Sequence, residues 1–597
     1  MRCGRGRACL VGGALAGVLL AASGCQSGDH QGRTEGDSGH PRRGGTLRLV
    51  GDSDVGHLDT ASVYSGVTYT IERAFTRQLV TYPSTGTHQM PTKIVPDLAR
   101  KVPTVSNGGI SDRGRTYTYV LKKGVKWDTK PPRQVTAADV ERGIKGLCNP
   151  VSPSGALGYY ESTVVGMASY CDAFLKVPGK VPAIRKFIKN HDIEGLTTSG
   201  KYKVVFHLRR PANDFNNIMT LPFSSPAPAE YLNYLPDGKK FRQHTISSGP
   251  YQITTYKPNK KIVLKRDPAW APSTDDVRRA YVNKIVVEEG YDAESVQRQL
   301  QAGTADMEWD TNVPPPQLPG LASAHDPRLL IYSAGSLDPY LVVNFQSPNA
   351  RHATGKLGVR RALEYAVNKA AVVQTNGGPR LNDPLDQVIT PHSVGYQKLS
   401  RYSTPGHKGD PRKARNLLAG AGYPKGLTLT LAYTDYNSAA KIAQVLQADL
   451  EKAGIQLRLH KVPLSELYSS FLVTPSVARR GAWDVALVDW GPDWFGNNGR
   501  TTVQPLLDGS SYGPGSTNYG DYDSQKENSL IRKALAAPDQ HAAARLWHRA
   551  DRRAMRDAAL VPIEVHKHAI FHSRGVHHLR ISPFSRVGDV TNVWLSQ

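Results

Sequence analysis

Three sets of side chains in this sequence carry groups that could do chemistry: a serine in Gly36-Asp37-Ser38-Gly39, histidines gathered near the C-terminus, and five cysteines. A nucleophilic serine needs a rigid scaffold and a partnered histidine. Residues 26–43 are mostly Gly, Ser, Asp, His and Arg with almost no apolar side chains, so they cannot bury enough surface to fold, and Ser38 reads as part of a tether. His566 and His568 stand two apart, on one face of a predicted strand, with His572, His577 and His578 beyond. Imidazoles suit transition metals. No cysteine or carboxylate stands at matched spacing, so these read as solvated histidines of a basic tail, with no metal and no cofactor expected. Neither GxxxxGK[ST] nor HExxH occurs, so phosphate-loop and zinc-protease chemistry are not indicated.

The cysteines divide by position. Cys25 follows basic Arg2, Arg5 and Arg7, an apolar stretch over residues 10–22, and the small Ser23 and Gly24. A dozen apolar residues fall short of the roughly 20 that span a bilayer, which favours a cleaved signal over residues 1–24. Ala22-Ser23-Gly24-Cys25 resembles a bacterial lipobox, with Ala22 where leucine is usual. That resemblance implies a lipidated Cys25 anchoring an exported chain to the outer face of the cytoplasmic membrane, or a periplasmic location in a Gram-negative cell. Cys3 and Cys9 would leave with the signal. Cys148 and Cys171 remain, an even pair in an oxidising compartment, pointing to one disulfide with two buried free thiols as the alternative. Its loop of about 24 residues would stabilise by roughly 3 kcal/mol.

About 570 residues beyond the signal exceed a single hydrophobic core, so two or more lobes are expected. The 75 basic and 51 acidic residues leave a formal +24, dispersed without a long Lys/Arg block, so no nucleic-acid footprint is indicated. Attraction to anionic lipid heads and an acidic cell wall, or simple solubility, accounts for the excess. After the tether (25–42), Gly44-Gly45 precede an alternating strand Thr46-Leu47-Arg48-Leu49-Val50, and residues 116–121 alternate as another. Thr136 reads as the N-cap of a helix, 201–208 as a strand, and Asp410-Pro411 as the start of a helix closed by Gly420. A strand at 428–431, an amphipathic helix at 439–453 and a strand at 455–459 follow. Such alternation predicts βαβ units and a mainly parallel sheet in the C-terminal half. No internal repeat is visible.

Several segments, in order, resemble the extracellular solute-binding protein family 5, the dipeptide and oligopeptide receptors of ABC importers. They are the opening Gly44-Gly45-Thr46-Leu47-Arg48 and His57-Leu58-Asp59-Thr60, then Asp112-Arg113-Gly114-Arg115-Thr116-Tyr117-Thr118-Tyr119 leading into Leu121-Lys122-Lys123-Gly124-Val125-Lys126-Trp127. Val135-Thr136-Ala137-Ala138-Asp139-Val140 and Ser248-Gly249-Pro250-Tyr251 follow. Val359-Arg360-Arg361-Ala362-Leu363 and the run from Ala414 to Pro424 stand in the second half. The resemblance implies an α/β, two-lobed, class II periplasmic-binding-protein-like fold with an extra subdomain in lobe I and two crossover strands. On this chain lobe I would be 43–344, with the subdomain at about 75–205, lobe II 345–561, and 562–597 a return to lobe I. The crossovers would lie near 340–344 and 560–565, both apolar and partly β-branched.

The same resemblance implies the site. In peptide-binding relatives an aspartate after a tryptophan-containing turn accepts the ligand's α-ammonium group. Asp489-Trp490-Gly491-Pro492-Asp493-Trp494 places Asp493 there, where a carboxylate in a closed cleft would make a charge-assisted hydrogen bond. Backbone groups at Trp490 and Gly491 would pair with an extended peptide as an added strand does. Trp483, Trp490 and Trp494 are candidates to stack on a ligand or to fill the core. Asp54 and Val55 occupy the lobe I position facing the same terminus, and Asn344 at the crossover completes the set. Pro250 and Tyr251 read as fold determinants. Pro492 removes an N–H before Asp493, and residues 494–498 lack the family's acidic-Pro ending, leaving peptide length and side-chain preference open. The alternative is that Asp493 caps the next turn among core aromatics. The implied protein is a monomeric, non-enzymatic receptor delivering short peptides to an ABC permease whose ATPase is a separate chain. The rival ligands are an oligosaccharide, an opine-like compound or a metal chelate. An exported hydrolase or signalling adaptor is the rival of another class.

Overall fold

The computed structural model describes residues 40–62, 65–86, 90–537, 540–583 and 587–596. Cys25, the 1–24 signal, Ser38 and most of the tether lie outside the described residues.

The strand expected after Gly44-Gly45 forms over Thr46–Val50 and becomes an inner strand of a five-stranded sheet. It pairs in parallel with Lys284–Glu288 and Met307–Glu308, while Lys261–Arg266 and Tyr251–Lys257 extend the sheet antiparallel. Its inward residues Leu47 and Leu49 are fully buried in one cluster with Tyr251, Ile285 and Trp309. Gly249 is demanded there by space, since a Cβ would lie 2.7 Å from the Ala74 carbonyl oxygen. The C-terminal segment comes back to this core: Val576, Val590 and Val593 pack into the same cluster.

Between these strands in sequence lies a second unit, built on an antiparallel sheet of Ile110–Ser111, Thr116–Val120, Lys203–His207 and Leu196–Ser199. Its helix Ala137–Gly146 starts at Thr136, whose backbone N–H donates to Asp139 Oδ2 at 2.9 Å. A disulfide joins Cys148 to Cys171, both fully buried, with Cα atoms 5.1 Å apart. The cluster around it runs from Leu79 to Phe223 and takes in one distant residue, Trp494.

The largest sheet has seven strands. Leu427–Tyr433, Ile455–Lys461 and Val485–Trp490 are mutually parallel, with helix Ala439–Lys452 forming the crossover between the first two. The remainder corrects the expectation of a mainly parallel sheet: Leu329–Val343 pairs antiparallel with Val485–Trp490, Leu560–Pro562 and Glu564–Phe571, and Glu564–Phe571 pairs antiparallel with Asn382–Pro384. The two long strands lie side by side and overlap the segments 340–344 and 560–565 expected as crossovers. A strand that returns beside its partner reverses direction, which the local βαβ pattern could not show. Leu341 and Val343 enter the cluster on one face, Tyr340 and Val342 that on the other. Burial on both faces explains the unbroken apolar run there.

His566 and His568 are a second correction. They stand on the Glu564–Phe571 strand at 6% and 4% exposure, not in solvent, and the His566 Nδ1 lies 2.7 Å from Asn382 Oδ1. Strand alternation turned both rings inward on a sheet whose two faces are covered.

Candidate ligand site

Strand Val485–Trp490 delivers Asp489 and Trp490 to its C-terminal end, and the chain turns through 491–498 into helix Arg500–Leu507. Trp490 is nearly buried, and its indole N–H donates to the Thr501 carbonyl at 2.9 Å, which fixes the turn against the helix start. Trp483 is fully buried in the same cluster, so these two indoles are packing residues. Gly491 is half-buried, with Ser336 Oγ 3.4 Å from where a Cβ would stand.

From there the turn reaches across to the disulfide-bearing unit. Asp493 Oδ2 accepts a 2.5 Å hydrogen bond from the Tyr159 hydroxyl. Trp494 is fully buried in that unit's core, its ring 4.9 Å from that of Tyr159. The Phe495 carbonyl accepts from the Tyr82 hydroxyl at 2.7 Å and from Asn217 Nδ2 at 3.3 Å. Arg500, 2% exposed, makes several contacts across to that unit. It pairs with Asp214 at 3.4 Å, donates to the Ser162 and Thr163 hydroxyls at 2.7 and 3.0 Å and to the Tyr159 carbonyl at 3.3 Å, and lies 5.1 Å from the centre of the Tyr159 ring. Residues more than 270 positions apart in sequence thus meet on one surface.

Each of the two carboxylates receives a tyrosine hydroxyl. Tyr468 donates to Asp489 Oδ1 at 2.7 Å, and the Tyr519 ring lies tilted near that of Tyr468, centres 6.3 Å apart. Burial, and then the Asp493 charge, pushes the Tyr159 hydroxyl well above its ordinary range, so it stays protonated and donates. Burial, with a smaller push from the same carboxylate, raises the hydroxyl of Tyr69, and burial followed by Asp489 and then Asp493 raises that of Tyr519. Asp493 thus acts electrostatically on three tyrosine hydroxyls from different parts of the chain, Tyr69, Tyr159 and Tyr519. A carboxylate in such surroundings is suited to a small cationic group that can bring its own donors.

Just after strand Thr46–Val50 of the first sheet stands another carboxylate, Asp54. Asp54 Oδ1 accepts from the Val55 N–H at 2.7 Å, and its Oδ2 accepts from the Tyr256 hydroxyl at 2.7 Å and the Asn259 N–H at 3.2 Å. Glu289 beside it is pushed up to about 8 by burial and then by Asp54. Val55 is 3% exposed in the core, so only its backbone can face a ligand. The Tyr436 hydroxyl, just after strand Leu427–Tyr433, donates to the Asp310 carbonyl and so ties the largest sheet to the chain beside the first. Asn344 is placed elsewhere. It is fully buried, donates to the Ala478 and Trp483 carbonyls at 2.9 and 2.8 Å, and accepts from the Gln346 N–H, so it pins the end of the crossover. Tyr159, Arg500, Asp214, Tyr82 and Asn217 were not anticipated from sequence. Arg500, a charge opening a helix buried at seven of its eight positions, was the one available signal.

This fold defines a class, the solute-binding proteins. The model of the bacterial extracellular solute-binding proteins, family 5, matches residues 93–511, and the chain belongs to that family. It is 26% identical over 521 residues to di/tripeptide-binding protein 1 of Pseudomonas aeruginosa, covering 83% of this chain and 84% of that one. Among solved structures, clavulanic acid biosynthesis oligopeptide binding protein 2 superposes with a TM-score of 0.77 at 25% identity, covering 93% of this chain and 96% of the other. The Helicobacter pylori periplasmic binding protein DppA, in complex with peptide STSA, gives 0.74 at 22% identity over 93% and 99%.

Proposed function

We propose that the chain is the exported receptor of an ABC importer for short peptides, closing two lobes over its ligand and anchored to the membrane through lipidated Cys25. Lobe I would be 43–344 with the return 562–597, and lobe II 345–561. The observation that carries the reading is Asp493, presented just beyond a strand end and receiving a hydrogen bond from Tyr159 of the disulfide-bearing unit. A peptide α-ammonium would bind that carboxylate through charge-assisted bonds. The Trp490 and Gly491 backbone would hold the peptide in an extended form. Asp54 would face the same terminus from lobe I. The relatives named for di/tripeptide and oligopeptide binding support this ligand class.

Such a ligand favours the closed form only by its extra contacts there. Main-chain bonds and one ion pair must exceed the lost translational freedom and side-chain ordering. A micromolar affinity, about −8 kcal/mol, is within their reach. Binding needs no covalent step, and the ATPase and permease are separate chains. The test is a mass spectrum of ligand released from purified protein on denaturation. Peptides with free amino termini are expected; a sugar or a metal chelate would overturn the reading.

A further inference from the structure

Strand Val485–Trp490 has a site at each end. Just before its start, at Asp484, opens a cavity of about 570 Å³, lined chiefly by Arg351, Tyr423, Thr428, Thr430, Arg458 and His460. Six residues at roughly 3.3 Å each place it about 20 Å from Trp490, away from the Asp493 turn.

The sheet aims its polar groups into this space. Leu457 and Leu459 turn toward the helical layer, so Arg458 and His460 share the other face, and Thr430 is the register partner of Arg458. Among the described residues the Arg458 guanidinium has no hydrogen-bond or ion-pair partner. Arg351 comes from a left-handed turn in which Ala350, Arg351 and His352 have φ of 46°, 61° and 55°. Left-handed backbone costs about 1–2 kcal/mol at each non-glycine residue and persists only where its surroundings enforce it. Here the Tyr423 hydroxyl donates to the Ala350 carbonyl at 2.6 Å and Asn349 Nδ2 to the Gly481 carbonyl at 2.8 Å. The Arg351 guanidinium is held 5.2 Å over the Tyr423 ring. Asp484 is the one acid in the lining, and it is 1% exposed. Its oxygens accept from Ser347, Asn349 and the Thr430 N–H at 2.5, 3.1 and 2.7 Å, so it organises the floor and does not neutralise the arginines.

We propose that this cavity is a second binding site, independent of the peptide cleft, for a phosphate-bearing anion gripped by Arg351 and Arg458. Guanidinium forks match phosphate oxygens two at a time, and the hydroxyl of Thr430 adds a donor. The chain's +24 charge concentrates such anions near it. A free phosphate ester and a phospholipid headgroup present the same chemistry.

The test uses the full chain, with glycerol phosphate followed by calorimetry and flotation on phosphatidylglycerol against phosphatidylcholine vesicles. Arg351→Gln with Arg458→Gln is expected to weaken binding tenfold or more. Lys186→Gln with Lys189→Gln, which removes two exposed charges elsewhere, is expected to change it less than twofold. Binding of glycerol phosphate supports a free ester as occupant; binding of anionic vesicles alone supports a headgroup. Binding of neither, or equal loss in the lysine variant, overturns the proposal. Arg458→Gln alone serves if melting curves show the double variant unfolded. Peptide affinity in the same samples should stay within twofold, so failure here is distinguishable from failure of the peptide reading.

Discussion

Arg500→Ala isolates the contact between the two sides of the proposed trap. The substitution leaves the Asp214 carboxylate, at 12% side-chain exposure, without its ion-pair partner, and removes the guanidinium bonds to the Tyr159 carbonyl and the Ser162 and Thr163 hydroxyls. Truncating one partner of a buried ion pair costs about 3–5 kcal/mol. Both N···O separations to Asp214 are 3.4 Å, long for a charge-assisted bond, which argues for the lower end. A loss of about 3 kcal/mol is roughly a hundredfold in an equilibrium constant. If the contact forms on closure, the whole loss falls on the closed state. Peptide affinity measured by calorimetry should then drop about a hundredfold while the melting temperature of ligand-free protein hardly moves. Arg500→Lys keeps the charge without the fork and should fall between. Peptide affinity within threefold of wild type, with a clear fall in ligand-free melting temperature, would refute the reasoning, because the contact would then be permanent.

Two further outcomes follow from buried groups. Replacing Cys148 and Cys171 together by alanine removes a crosslink across 23 positions and should lower the stability of its unit by about 3 kcal/mol in urea unfolding; an unchanged midpoint would contradict this. Glu364, 1% exposed and with neither carboxyl oxygen hydrogen-bonded, is pushed up to about 8 by burial. The folded state therefore binds a proton that the unfolded chain releases near 4.3. Its effect is a stability that falls as pH rises through about 4 to 8, by up to about 1.4 kcal/mol per unit. Glu364→Gln should flatten that fall, seen by comparing unfolding at pH 5 and pH 8; parallel profiles would contradict it.

Local signals carried much of the architecture. Capping by Thr136 and Asp410, the helix at 439–452 and the strands around it follow from residue types a few positions apart. Asp410 accepts from the Lys413 N–H at 2.9 Å, as its position before Pro411 suggests. The return of Glu564–Phe571 beside Leu329–Val343 was not legible as pairing, because it joins residues over 200 apart. For the same reason His566 read as solvated and Asn344 as a ligand contact: alternation and position along the chain do not reveal what covers a face. The hydrogen-bond partner of Asp493 is the clearest case. Tyr159 stands 334 positions away, in a five-residue helix with no motif of its own.

The central claim is an amine held by Asp493, and the direct measurement is calorimetric titration of wild type and Asp493→Asn with one peptide, free and N-acetylated. The account predicts that the free peptide binds wild type at least a hundredfold more tightly than the variant, and that acetylation removes the difference. Equal affinity of both proteins for the free peptide would contradict it.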